Sequence, residues 1–401
     1  MKKFEMVAMR EHNPKWKYAI ERERKLSTPT YGEGDLRTEF DRDYTRIINC
    51  NAYRRLKHKT QVFFSPDDDH ICTRIEHVNL VESISYTIAR KLGLNSELTK
   101  AIAVGHDLGH TPFGHQGEKI LAEIAKREYG GDFWHGKNSL NFIDNLELLK
   151  DYQGVKRNLS LTYAVRDGII GHCGAFPKEG LKPREEYIDL NKFSKPGKFN
   201  PYTWEGCVVK IADNISYIGR DIEDAITMGV LKDKDVEKFN KLIEKIKINS
   251  NNIINYLVVD LCTNSTVEEG LKFSDEAYEI MHKLIEFNNE KIYKHQILKP
   301  MIRYCTLFMN ELFVILKNEF DGENTIKNLK RLRKYYPELA TEFVGWLSNY
   351  AEIDERNFEA YNNKIVFDVT KEEDYKKAIV IYLSGMTDKY IVKMYNTLIS
   401  I

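Results

Sequence analysis

Thirteen residues, His106-Asp107-Leu108-Gly109-His110-Thr111-Pro112-Phe113-Gly114-His115-Gln116-Gly117-Glu118, carry three imidazoles and two carboxylates, punctuated by glycine and a proline. Side chains on adjacent helical residues are splayed by about 100°, so His106 and Asp107 can grip one ion together only near a helix end. Imidazole with carboxylate suits Zn, Mn, Fe or Ni, and a mixed nitrogen and oxygen set with open positions suits hydrolysis. Two further candidates stand far away in the chain. His77 follows Thr73-Arg74-Ile75-Glu76, and Asp213 lies inside KIADNISYIGRDIEDAI. Helices can bring such groups together at the centre of a bundle. Two imidazoles and two carboxylates leave coordination room for water and phosphate, and a divalent ion makes bound water a usable nucleophile near neutral pH.

The elements that must position these groups read as helices. From Arg74 the apolar residues Ile75, Val78, Val81, Ile84, Ile88 and Leu92 follow helical spacing, and Gly93 ends the run. Further helices are expected over Glu97–Asp107, Gln116–Glu128, Leu140–Leu149, Leu161–Ile170 and Glu205–Met228. Thr60–Phe64 and the Val-rich run Lys364–Val369 read as short strands, and Ser65–His70 as a loop. Residues 174–203 carry too many prolines and glycines for regular structure, which predicts a long loop or lid. On the Asp213 helix, Tyr217, Arg220 and Asp224 fall within about 40° of Asp213, while Ile211, Ile215, Ile218 and Ile222 lie opposite. Pattern alone places that polar face in water. The class is mainly α.

Composition narrows the partners. The chain has 401 residues, 42% of them hydrophobic, and its 60 basic and 60 acidic residues cancel. That balance gives no footprint for bulk binding to nucleic acid or to a membrane surface. Six scattered cysteines with no C-x-x-C pair read as reduced thiols. No run is long and apolar enough to span a bilayer, so a cytoplasmic protein is expected.

Taken together, DLRTEFDRDYTRIINCNAYRRLKHKTQVF (35–63), TRIEH (73–77), GHDLGHTPFGHQGE (105–118), LTYAVRDGIIGH (161–172), VKIADNISYIGRDIEDAI (209–226) and GMTDKY (385–390) resemble an HD-domain deoxynucleoside triphosphate triphosphohydrolase of the dGTPase-like family. The segments stand in family order over nearly the whole chain. The resemblance implies an HD-domain helical bundle with additional C-terminal helices and at most a few short strands. It divides the chain into an N-terminal arm (1–35), a catalytic core (36–230) and a helical C-terminal region packed on that core (231–401). It also implies hydrolysis of dNTPs to deoxynucleoside and inorganic triphosphate.

By the same resemblance, His77, His106, Asp107 and Asp213 hold one divalent metal ion per subunit (Mn, Mg, Fe, Ni or Zn). His115 is then catalytic with Glu118 beside it, and His110 contacts the phosphates. The i, i+3 spacing would let Glu118 orient His115 and favour its charged form, which suits an acid for a departing 5′ oxygen. A triphosphate carries about four negative charges and calls for fixed cations, Arg above all. Arg74 matches a phosphate-binding position, and Arg55 sits in the basic run Arg54, Arg55, Lys57, Lys59. Gln61 resembles a residue near the sugar 3′ hydroxyl, Tyr217 one that blocks a 2′ hydroxyl, and Asp221 one that accepts the 3′ hydroxyl. Implied partners are a dNTP substrate, a dNTP activator and further copies of the chain.

Two departures concern the base and the outer shell. His135-Gly136-Lys137-Asn138-Ser139 replaces a His-Asn-x-Gln-Ser run, and Arg220 stands where relatives often carry His. His172 is expected to be structural. Two alternatives have distinct signatures. A phosphodiesterase of the same fold with two metals would need extra imidazoles, for which only His135 and His172 are available. A non-catalytic nucleotide sensor would have no need of the His115/Glu118 pair.

Overall fold

The computed structural model describes residues 3–26, 36–64, 70–242 and 250–399. Twelve principal helices organise the site. They are α1 (Glu39–Asn49), α2 (Arg74–Leu92), α3 (Ser96–Gly105), α4 (Gly114–Tyr129), α5 (His135–Asn141), α6 (Tyr163–Gly171), α7 (Trp204–Thr227), α8 (Ser250–Asn264), α9 (Asp275–Asn288), α10 (Leu298–Lys317), α11 (Glu372–Ser384) and α12 (Asp388–Ile399). The one sheet among the described residues is a hairpin of β1 (Leu148–Lys150) and β2 (Lys156–Asn158), antiparallel with Leu148 opposite Asn158. The mainly α class holds. No described helix is long and apolar enough to cross a membrane.

Local chemistry sets the helix ends. Thr73 and Glu76 form a capping box at the start of α2, and Gly93 closes the helix in the left-handed conformation at φ 79°. Asn95 accepts the Glu97 and Leu98 N–H groups to start α3, and Thr203 accepts from Gly206 to start α7. Helix α2 packs on α3 and α7, and α6 packs on α3 and α7, so these four surround the metal-ligand candidates. Val78, Val81, Leu98, Ile102, Ile169, Val208, Ile211 and Ile215 are buried among them.

Several sequence expectations change. Thr60–Phe64 forms no strand; Thr60 makes one isolated bridge to Thr73. Lys364–Val369 likewise holds a single bridge, Phe367 to Ala351, because no neighbouring strand is there to pair with it. Leu140–Leu149 is not one helix. Helix α5 ends at Asn141, widens into a π turn over Phe142–Leu146, and enters β1. The Ser65–His70 loop falls, up to residue 69, outside the described residues, as do residues 27–35 of the arm. The described part of that arm is tied down. Phe4, Ala8, Met9 and Ala19 are buried, and the buried Glu205 carboxylate accepts the Met9 N–H at 2.9 Å and the Asn95 N–H at 2.9 Å.

Residues 174–203 are irregular apart from a short turn at Leu190–Lys192, but they do not form an open flap. Arg184 pairs with the fully buried Asp167, donates to Tyr163 Oη at 2.7 Å and to Asn200 O at 2.7 Å, while Asp167 also accepts the Tyr202 N–H. These bonds clamp the segment to α6.

Candidate metal centre and its cavity

Four side chains from α2, the end of α3 and α7 converge as their types suggest. His77 Nε2 lies 3.1 Å from Asp213 Oδ1 and 3.9 Å from Asp107 Oδ2. His106 Nε2 lies 3.8 Å from Asp107 Oδ1 and 3.8 Å from Asp213 Oδ1. Asp213 therefore does not point into bulk water. Asp213, Tyr217 and Asp221 on the polar side of α7 line a cavity that opens to solvent, while Arg220 and Asp224 lie outside it; a polar cavity wall carries the same periodic signature as a solvated surface.

The protons on these rings can be placed. His106 Nδ1 lies 2.7 Å from the Ala103 carbonyl, which can only accept, so Nδ1 carries the hydrogen and Nε2 a lone pair. That buried Nε2 has no protein partner. His77 Nδ1 lies 3.3 Å from Ser216 Oγ, whose own hydrogen goes to Asp213 O, so Nδ1 donates and Nε2 faces the carboxylates. Ring nitrogens and carboxylate oxygens crowded toward one point need a positive centre between them, a proton or a metal ion. Imidazoles whose outer nitrogens are held by backbone or side-chain acceptors are the usual outer shell of such an ion. The set fits a divalent metal. Burial opposes ionisation of Asp213, but the His77 hydrogen bond, with the His106 and His77 rings close by, outweighs it and holds the carboxyl well below its usual range. For Asp107 burial is likewise overcome, chiefly by Arg74. Burial pushes His106 down to about 4.

The cavity around this cluster has a volume of about 620 Å³. Arg74 is buried; its Nη1 donates to Asp107 Oδ2 at 2.8 Å and its Nη2 to Gln61 O at 3.1 Å, leaving Nε unpartnered. Gln61 lines the wall with its Oε1 unpartnered. Buried His110 stacks on His135 at 4.8 Å between ring centroids, with Nδ1 unpartnered. His115 is open to the cavity, 5.1 Å from the His110 ring. Depth within the protein, then the charges of His135 and Arg74, push His115 down to about 4. Tyr217 and Asp221 line the α7 side. Burial raises Asp221 to about 6 against the hydrogen bond donated by Tyr293.

Not every expected contact forms. Glu118 does not hold His115. Its Oε2 sits 2.7 Å from His135 Nδ1, because α5 delivers a second imidazole to the same carboxylate. The charge on Glu118 is therefore shared out, and His115 in the free protein is neutral near pH 7. Arg55 lies apart from this cavity: it pairs with Glu147 at 2.8 Å, stacks over Phe142, and lines a separate groove. Lys59, from the same basic run, is buried, donating to His110 O and to Ser384 O at 2.9 Å. It shapes the turn, and burial lowers it to about 7.

Other residues of the site escaped sequence reasoning. His282, Ile285, Asn289, Tyr293, Leu298 and Met301 bring α9, α10 and the turn between them to the cavity wall. Asp388 at the start of α12 accepts the Phe113 N–H at 2.9 Å and the Thr60 N–H at 2.8 Å. Phe113 adopts the left-handed conformation at φ 59°, uncommon for a non-glycine residue, and Gly114 follows at φ 58°. The turn is also tight. A Cβ on Gly109 would lie 2.1 Å from Ser139 N, and one on Gly117 1.8 Å from Pro112 O.

Comparison with known proteins bears on this arrangement. The HD domain model matches residues 74–218. A deoxyguanosinetriphosphate triphosphohydrolase-like protein of Caldanaerobacter subterraneus subsp. tengcongensis is 36% identical over 362 residues, 90% of this chain and 85% of its own length. Proteins of the same name from Desulfatibacillum aliphaticivorans and Rickettsia bellii are 37% identical over 290 residues and 32% identical over 383 residues. They cover 72% and 91% of this chain, and 76% and 92% of their own lengths.

Proposed function

Because the chain belongs to the HD-domain, deoxyguanosinetriphosphate triphosphohydrolase-like family, we propose that it hydrolyses dNTPs to deoxynucleoside and inorganic triphosphate. The observation that carries this reading is the convergence of His77, His106, Asp107 and Asp213 beside a cavity walled by Arg74, His110 and His115. Residues 36–230 would carry the chemistry, with residues from 231–401 closing one wall.

His77, His106, Asp107 and Asp213 would hold a divalent ion, which when bound would supply Lewis-acid polarisation and activation of water. The chain's own residues do the rest. Arg74 and His110 face the phosphate tail. Water adds at the α-phosphorus, the bond from phosphorus to the 5′ oxygen breaks, and His115 gives that oxygen a proton. His115 is neutral in the free protein, so it gains its proton as the negatively charged tail binds nearby and offsets the charges of His135 and Arg74. Tyr217 stands where a 2′ hydroxyl would collide, and Asp221 is the acceptor for the 3′ hydroxyl, with Gln61 beside the sugar.

Product analysis tests the reading. Each dNTP, alone and mixed, with Mn²⁺ or Mg²⁺, is expected to yield triphosphate together with deoxynucleoside. Release of pyrophosphate, phosphate or monophosphate instead would overturn it. His115→Ala should bind nucleotide and lose turnover by about 10²–10⁴-fold, the usual contribution of a positioned acid; unchanged turnover would remove His115 from the mechanism.

A further inference from the structure

On the far side of His135 lies a cluster that the proposed hydrolysis does not use. Cys173 Sγ is 3.1 Å from His135 Nε2 and 3.3 Å from His172 Nε2. His172 and Cys173 are buried, and His135 and Cys173 line the cavity. We propose that His135, His172 and Cys173 form a second cation site, for a borderline-soft divalent ion such as Zn²⁺, distinct from the His77, His106, Asp107 and Asp213 set.

A hydrogen count supports it. His135 Nδ1 faces the Glu118 carboxylate at 2.7 Å, and His172 Nδ1 faces the Ile169 carbonyl at 2.6 Å. Both partners accept, so both Nδ1 atoms carry hydrogen, and both rings turn their Nε2 toward the same sulfur. Two ring nitrogens and one sulfur thus meet at a point that must be held together by shared protons or by a metal ion. A cation at that point satisfies both nitrogens and the sulfur at once.

Distances and outer contacts agree. Zinc bonds of about 2.0 Å to nitrogen and 2.3 Å to sulfur in a tetrahedron separate the ligand atoms by about 3.3–3.5 Å. The observed nitrogen-to-sulfur separations, 3.1 and 3.3 Å, are shorter than the tetrahedral nitrogen-to-sulfur value of about 3.5 Å by a few tenths of an ångström. A carboxylate on one imidazole and a backbone carbonyl on the other are the outer shell such ligands carry. Three protein ligands leave a fourth position, and His135 and Cys173 border the cavity, so water or a phosphate oxygen is the ligand class it would take. His172 also neighbours the first set, its ring 5.0 Å from that of His106, so the test must separate the two sites.

Cobalt serves as the probe, since a thiolate bound to Co²⁺ gives a charge-transfer band in the near ultraviolet. Full-length protein stripped with chelator is titrated with Co²⁺. The expected result is a saturable thiolate band that is lost in Cys173→Ser and in Cys173→Ala, with bound cobalt falling by one ion per chain. Asp213→Asn should keep the band, which makes this outcome independent of the proposed hydrolysis. No thiolate band at saturation, or a band that survives both Cys173 substitutions, would overturn the site and leave a thiol hydrogen-bonded to one imidazole. Loss of the band in Asp213→Asn would show a single shared site and also overturn the proposal.

Discussion

Replacing Asp221 by Asn should make the protein more stable and a poorer catalyst. Asp221 is 2% exposed; burial raises its carboxyl from 3.8 to about 6, although Tyr293 donates a hydrogen bond to it. At about 1.36 kcal/mol per pH unit, that gap is a penalty of roughly 3 kcal/mol for ionising Asp221 in the folded state. The sign follows from the raised value. The penalty is absent below about pH 4, accrues as pH rises through about 6, and is constant above. Asn keeps an acceptor for Tyr293 and places its amide where Asp221 Oδ1 already lacks a partner, so no new orphan is created. In chelator-treated protein, Asp221→Asn is expected to gain about 1–3 kcal/mol at pH 8, a few degrees or less in Tm for a chain of this size, and nothing at pH 4. Thermal melts of both proteins across pH 4–8 measure it. Under the proposed mechanism kcat/KM falls about 10–100-fold, from loss of a hydrogen bond to a charged group worth about 1.5–3 kcal/mol. A variant that melts lower at pH 8, or a gain that does not vary with pH, would refute the assignment of burial as the cause.

Arg184→Met leaves Asp167 buried and without its counter-charge, so a loss of about 3–5 kcal/mol is expected, with faster proteolysis within 174–203 read by limited digestion. Gly117→Ala has no room for its methyl against the Pro112 carbonyl; divalent-metal binding at the first site, followed by calorimetry, should weaken or vanish with the displaced turn. Tyr217→Ala should narrow the preference for dNTP over the matching ribonucleotide by about tenfold or more in kcat/KM, a change of at least about 1.4 kcal/mol; an unaltered ratio would free Tyr217 from that role.

What could be read from the chain depended on whether a signal was local. Helix α2 announced itself through apolar spacing and Gly93, and the His106–Glu118 string through its density of ligand types. The relation of Glu118 to His135 was hidden, because it arises from the approach of α5 and not from the i, i+3 spacing that suggested His115. Lys59 and Arg55 share one basic run yet end in different places, one buried under the turn at His110 and one paired with Glu147. Charge periodicity cannot separate water from a polar cavity, so the Asp213 face of α7 looked like a surface. Tyr293 lies in no segment that marks a site, and GMTDKY, which contains Asp388, spoke for the family but not for a role; their importance lies in contacts closed over 72 and 275 residues of chain.

The bond from the Phe113 amide to Asp388 has a wider implication for how this machinery can be moved or trimmed. The proposed ligands all belong to the stretch 74–218, but the peg that holds their awkward turn belongs to a helix near the opposite end of the polypeptide. Excising that stretch as a minimal catalyst would transplant the grip and discard its strap.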